Sequence, residues 1–173
     1  MTDNRWITDE EIEQGLRDNG WNFIKLRERQ WVLLIHDPGR VGGYQVFVEN
    51  GLSNEWFVRM HVPLLQAQQN QGCVHKALSL LNGHLNVVKF EMHDAAVVAS
   101  AAFSRIRAFS TPGKLRQQLQ HTIAGVVAGA IFAQPILECC VQNEHCDPEE
   151  ELRRRMAQFG QGRPNLGLAP PRP

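Results

Sequence analysis

The feature that most constrains this chain is the run at residues 79–104, followed by a long apolar stretch after Thr111-Pro112. Ser79-Leu80-Leu81-Asn82-Gly83 reads as a helix end and a glycine break. Asn86 to Met92 and Ala95 to Phe103 then read as two short strands turning at His93-Asp94. Thr111 is placed to cap the next helix, with Pro112 at its first position, where a missing amide does no harm. Leu115, Leu119, Ile123, Val126, Ala130 and Ile131 form its apolar stripe, and Pro135 is expected to kink or end it. A helix, a hairpin and a long apolar helix in that order describe a small α/β binding module, and no catalytic signature lies within them.

The segments before this run supply the rest of a sheet. Thr8 and Glu11 stand at capping-box spacing, and Ile7 and Ile12 can staple the helix they open. Asn19-Gly20 is its exit. Trp21 to Arg27, Trp31 to Ile35, Tyr44 to Glu49 and Trp56 to Val62 read as four strands. The continuous apolar run Trp31-Val32-Leu33-Leu34-Ile35 predicts a central strand covered on both faces, and Pro63 is expected to end the fourth. A helix over about Val74 to Leu81 should stop at Asn82-Gly83.

The expected fold class is α+β, an antiparallel sheet with helices packed on it in the order α-β-β-β(β)-α-β-β-α. Residues 1–146 form a single domain, 147–159 a charged C-terminal helix, and 160–173 a disordered Pro/Gly-rich tail. In the C-terminal helix, Glu149, Glu150 and Glu151 stand four residues before Arg153, Arg154 and Arg155, the favourable orientation for ion pairs on an exposed helix.

Composition limits the function classes. Eighteen Lys and Arg balance eighteen Asp and Glu, and 43% of the residues are hydrophobic. A nucleic-acid binder needs a basic excess to displace counterions, so no nucleic-acid partner is expected. The acidic N-terminal stretch does not read as a secretory signal. Four cysteines without such a signal point to free thiols in the cytoplasm. Gln117 to Leu137 carries no full charge, but its strongly apolar part is shorter than the ~20 residues a span needs. It reads as a core or interface helix, and no membrane span is expected.

From about Asp9 to Leu137 the chain resembles the bacterial YbjN-like family, whose members are described as candidate sensory transduction regulators and whose fold is similar to that of type III secretion chaperones. The resemblance rests on Leu80-Leu81-Asn82, Val87-Val88-Lys89-Phe90 and Val97-Val98-Ala99, with Gly20-Trp21 and Trp31 to Ile35 before them. The turn departs from the pattern, with His93-Asp94-Ala95 where Asp-Gly is expected, and residues 135–173 lie outside it. The resemblance implies a dimeric module that recognises protein partners, and it carries over no catalytic residue.

The functional expectation is a non-enzymatic protein-binding module, chaperone-like or regulatory, acting as a homodimer without a cofactor. Aromatic and Met anchors are typical of interface cores, so Trp56, Phe57, Met60 and Leu64 are the first candidates. Gly125, Val126, Gly129 and Ile131 are the second set, because small-x-x-x-small spacing at Gly125 and Gly129 lets a partner approach the backbone or lets the helix pack on its own sheet.

The alternative is a small-ligand or metal-responsive regulator using the Cys/His segment 139–146, where Cys139 or Cys140 with His145 and Cys146 gives three ligands and Cys73 or His75 the fourth. The segment lacks a Cys-x-x-Cys knuckle, and its bland reading is buried thiols at a helix end. A disulfide from Cys139 or Cys140 to Cys146 is sterically possible but disfavoured by a reducing compartment. Cys73 with His75, and His36 with Asp37, lack the partners a nucleophile needs. Gly39 to Gly43 lies between strands and reads as a turn. Arg105, Arg107, Lys114 and Arg116 form a basic stretch that can meet an anion at a helix start.

Overall fold

A computed structural model describes residues 6–37, 40–52, 56–106 and 112–161. Among these residues four helices and six strands follow one another: α1 (Asp9–Asp18), β1 (Phe23–Arg27), β2 (Gln30–Asp37), β3 (Arg40–Asn50), β4 (Phe57–Gln66), α2 (Gln71–His84), β5 (Lys89–His93), β6 (Ala96–Ser104), α3 (Pro112–Gln142) and α4 (Pro148–Gln161). The strands form one antiparallel sheet in the order β1-β2-β3-β4-β6-β5. Four strands run as a meander. Helix α2 then carries the chain back so that the β5–β6 hairpin joins alongside β4. The expected α+β class and element order hold.

Helix α1 opens as its sequence dictates. The Glu11 amide donates to Thr8 Oγ1 at 3.3 Å and the Thr8 amide to Glu11 Oε2 at 2.8 Å, closing the capping box. Ile7 and Ile12 are buried beneath it. Gly20 then leaves with φ +72°. Buried Asn50, at the end of β3, donates to the Ile7 carbonyl at 3.1 Å and to Asp9 Oδ1 at 2.9 Å, tying the helix entry to the sheet.

Helix α3 lies along the sheet against β3, β4 and β6, with α1, α2 and α4 beside it. It is long and apolar enough to cross a membrane by length and composition, yet Leu119, Ile123, Val126, Ala130, Ala133 and Leu137 are buried in this core. Thr111, its expected cap, lies outside the described residues, as do Arg107 and residues 162–173.

Several local expectations need correction. Helix α3 does not end at Pro135 but runs on to Gln142. Proline has no amide to donate to the carbonyl four residues back, here that of Ile131. The Arg155 guanidinium of α4 donates to that oxygen instead, Nη2 to O at 2.9 Å. Arg155 also lies 5.2 Å from the Phe159 ring centre and 5.9 Å from that of Phe132. Burial lowers its pKa from the ordinary arginine value. Helix α4 is therefore not a wholly exposed helix of matched charges. Leu152 is buried, Arg154 pairs with Glu151 three residues back at 2.6 Å, and the helix continues through Gly160 to Gln161, residues assigned above to the tail.

This arrangement makes a double-mutant prediction. Arg155→Met should cost about 1–3 kcal/mol by orphaning the Ile131 carbonyl. Pro135→Ala restores a helix amide for that oxygen, so the double variant should lose less than the two single effects combined. Urea unfolding followed by circular dichroism measures the coupling, and strict additivity would remove this account of the proline.

Asn82-Gly83 does not stop α2, which continues to His84. The Asn82 carboxamide instead pairs with both backbone groups of Phe90 on the edge strand β5, each contact at 2.8 Å. Nor does Pro63 end β4. The β3–β4 register stops at Phe47↔His61, while pairing with β6 continues to Gln66↔Ala96 with a shift between Pro63 and Leu65. Pro63 thus stands where β4 is paired on one side only, a position that tolerates a missing amide.

Candidate functional site

Among the described residues the helices pack on one face of the sheet and leave the other bare. Along β1, Lys25 turns toward α1, where its Nζ meets Glu13 Oε1 at 2.9 Å, so Ile24 and Leu26 point to the opposite face. The register then aligns a row across all six strands: Ile24, Val32, Phe47, His61, Ser100 and Lys89. Ile24 is 68% exposed and Leu34 64%, with Leu26 also exposed. Ile24, Leu26, Val32, Leu34 and Phe47 make an apolar patch on this half of the face, flanked by Gln30 and Glu49 on one side and Gln45 on the other. The expectation that β2 is covered on both faces is corrected here: Trp31 and Leu33 are buried in the core, and Leu34 faces outward.

The other half of the face is charged. Arg59 Nη2 meets Glu91 Oε2 at 3.2 Å, and His93 Nε2 approaches the same oxygen at 3.3 Å. His61 joins the halves. Its ring stacks on Phe47 with centres 5.1 Å apart and planes 9° from parallel, and its Nδ1 lies 3.9 Å from Glu49 Oε2.

Burial holds the His61 imidazole below its ordinary pKa of 6.5, with Glu49 opposing the shift and Arg59 and His93 adding to it. The unfolded chain then takes up this proton first. Stability associated with neutral His61 is complete above about pH 6.5 and is lost as the pH falls through the lower folded value. His61→Gln should flatten that part of the acid-side decline in a series of urea midpoints. An unchanged pH slope would remove His61 as its cause.

The residues singled out from sequence fall in different places. Met60, Leu64 and Val126 are buried core and do not form an accessible surface. Phe57 is exposed on the bare face, on the same side of β4 as Arg59 and His61. Trp56 is exposed beside it and meets Trp6 edge-on, with ring centres 5.2 Å apart.

Gly125 and Gly129 receive the chain's own α2–β5 connection. A Cβ at Gly129 would lie 3.0 Å from Val88, and one at Gly125 3.6 Å from Val87. Around them an apolar groove of about 570 Å³ runs between that connection and α4, closed by Met156 and Phe159. Ile131 is only partly buried, packed against the core.

The cysteines are not free thiols in this structure. Cys73 is bonded to Cys140 and Cys139 to Cys146, with Cα separations of 5.4 and 5.8 Å, within the range a disulfide spans. The first ties α2 to α3; the second closes the turn into α4. Among the described residues the group of metal-ligand size is Cys73, Cys140 and Cys146, their sulfurs within 4.8 Å of one another. His145 and His75 are exposed and outside it. His36 and His93 are exposed too, on different strands from each other.

Two features escaped the sequence reading for different reasons. The outward position of Ile24 was visible in its alternation with Phe23 and Lys25, whereas the bulge between Lys25 and Arg27, which pairs Arg27 with outward-facing Gln30, was not. The Cys73–Cys140 pairing had no local signal, since four cysteines allow three connectivities.

No protein-family profile matches the chain, and no curated protein matches it. Among solved structures it is similar to YbjN from E. coli, described as a candidate transcription regulator. The two share 14% identity with a TM-score of 0.54, over 75% of this chain and 89% of YbjN. The chain has a YbjN-like fold.

Proposed function

We propose that this chain is a non-enzymatic regulatory module that binds protein and acts as a homodimer, two copies meeting through the bare face of the sheet. The observation that carries the reading is the apolar set Ile24, Leu26, Val32, Leu34 and Phe47 on a face that no helix among the described residues covers. Exposed contiguous apolar surface marks interaction sites, and sheets pack face to face at about 10 Å through such side chains. The fold shared with a candidate regulator supports the regulatory half of the reading.

A second copy suits the face because a two-fold pairing presents the same patch on both sides. The apolar half then meets an apolar half, while Arg59 and Glu91 place both signs of charge at the rim. The partner class is protein rather than nucleic acid, in keeping with the balanced charge and the carboxylates of Glu49 and Glu91 on this face. A chaperone-like role would use the same apolar side chains on a client.

Light scattering over a concentration series tests the reading. A dimer mass that falls toward the monomer on dilution supports it. A monomer at every concentration, with no change on adding salt, overturns the homodimer.

A further inference from the structure

Four sulfurs from three parts of the chain converge beside the α3–α4 turn. Cys73 lies in the first turn of α2, Cys139 and Cys140 in the last turn of α3, and Cys146 in the turn before α4. The turn is held by short-range bonds: the Asn143 amide to the Cys139 carbonyl at 2.9 Å, the Cys146 amide to the Asn143 carbonyl at 3.1 Å, and the Glu149 amide to Asp147 Oδ1 at 3.0 Å. Lys76 reaches across from α2 to Asp147 at 3.4 Å. The turn that carries Cys146 is therefore held by contacts that do not depend on the sulfur–sulfur bonds.

The geometry points to a closed zinc(II) site made by Cys73, Cys139, Cys140 and Cys146 when the disulfides are reduced. Zinc–thiolate bonds of about 2.3 Å place the sulfurs of a tetrahedral centre roughly 3.8 Å apart. Three of these sulfurs already lie within 4.8 Å of one another, and the fourth is bonded to one of them. Thiolates select soft cations. Cys139, His75 and His145 all lie outside the close group of three, and of these Cys139 is the one already bonded to a member of it, Cys146. Cys73 sits among the first amides of α2, whose positive end favours a thiolate. Its sulfur also lies 3.7 Å from the Cys146 carbonyl, to which a thiol there can donate.

The exchange balances. Each disulfide accepts two electrons and two protons from a dithiol, which leaves as its own disulfide. Zinc then displaces the four thiol protons. Disulfides and zinc use the same sulfurs, so they exclude each other, and either joins α2, α3 and the entry to α4. The site lies away from the bare sheet face and stands or falls independently of the dimer.

The test uses the full chain, reduced with a phosphine, freed of reductant without air and titrated with cobalt(II), then zinc(II). One cobalt per chain with sulfur charge-transfer and tetrahedral ligand-field bands is expected, followed by stoichiometric displacement by zinc. Bound zinc should protect all four cysteines from alkylation. Cys140→Ser should weaken zinc binding at least about 100-fold, while His145→Ala leaves it unchanged. Circular dichroism of the reduced, unsubstituted chain shows that it remains folded. A folded reduced chain without the tetrahedral cobalt spectrum overturns the site, as does an equal loss of zinc in His145→Ala.

Discussion

Trp31→Ala is expected to destabilise the protein by about 3–5 kcal/mol, the range for truncating a large buried aromatic. Trp31 is fully buried on β2. Its ring fills the space between the sheet and α1, and its Nε1 donates to Glu13 Oε1 at 3.1 Å. Lys25 meets that same carboxylate oxygen at 2.9 Å and lies 5.6 Å from the Trp31 ring centre. These hydrogen bonds, the Lys25 one foremost, hold the Glu13 carboxyl below the usual glutamate range.

Truncation therefore opens a cavity and removes one partner of a carboxylate that α1 uses to dock. Trp31→Phe keeps most of the volume and should lose about half as much or less, separating cavity from hydrogen bond. Guanidinium unfolding followed by circular dichroism gives both values. A loss below about 1 kcal/mol for alanine would show that α1 is not anchored through this side chain.

The second large effect concerns the disulfides in the absence of metal. Cys73 and Cys140 are separated by 67 residues, Cys139 and Cys146 by 7. On the chain-entropy view, closing the longer loop is worth about 4 kcal/mol and the shorter about 2 kcal/mol. Under oxidising, metal-free conditions Cys73→Ser should accordingly lower Tm by roughly twice as much as Cys139→Ser. Equal shifts would mean that loop length does not govern the stabilisation. A thiol titration of freshly isolated protein bears on compartment as well. Four titratable thiols fit the cytoplasm proposed from sequence, whereas none fits an oxidising space.

The parts of the fold legible in sequence were those with local causes. The Thr8–Glu11 capping box, the burial of Ile7 and Ile12 around it and the exit at Gly20 depend on residues within a few positions of one another. Asp94, with φ +54°, likewise takes the turn between β5 and β6 that its sequence suggests. The misreadings came where a distant residue supplied what the local rule said was missing. Pro135 looked like a helix end because it lacks an amide, but the hydrogen bond it cannot make to the Ile131 carbonyl is supplied by Arg155, twenty residues on. Asn82 looked like a stop signal, yet its carboxamide serves Phe90.

The site was harder to read for a related reason. An apolar run such as Trp31 to Ile35 does not show which of its faces is covered; that depends on where α1 to α4 pack. Met60 and Val126 were reasonable interface candidates by residue type, and only the assembled core shows that both are enclosed.

The central claim is that the bare sheet face joins two copies, and the Ile24→Asp/Leu34→Asp double variant tests it most directly. Both side chains are largely exposed in the monomer, so the substitutions should cost the fold little. In an interface they bury four carboxylates across the two-fold. The account predicts a dimer mass by light scattering for the unsubstituted protein and a monomer mass for the variant at the same concentration, with unchanged circular dichroism. A variant that remains dimeric would contradict it and move the interface elsewhere.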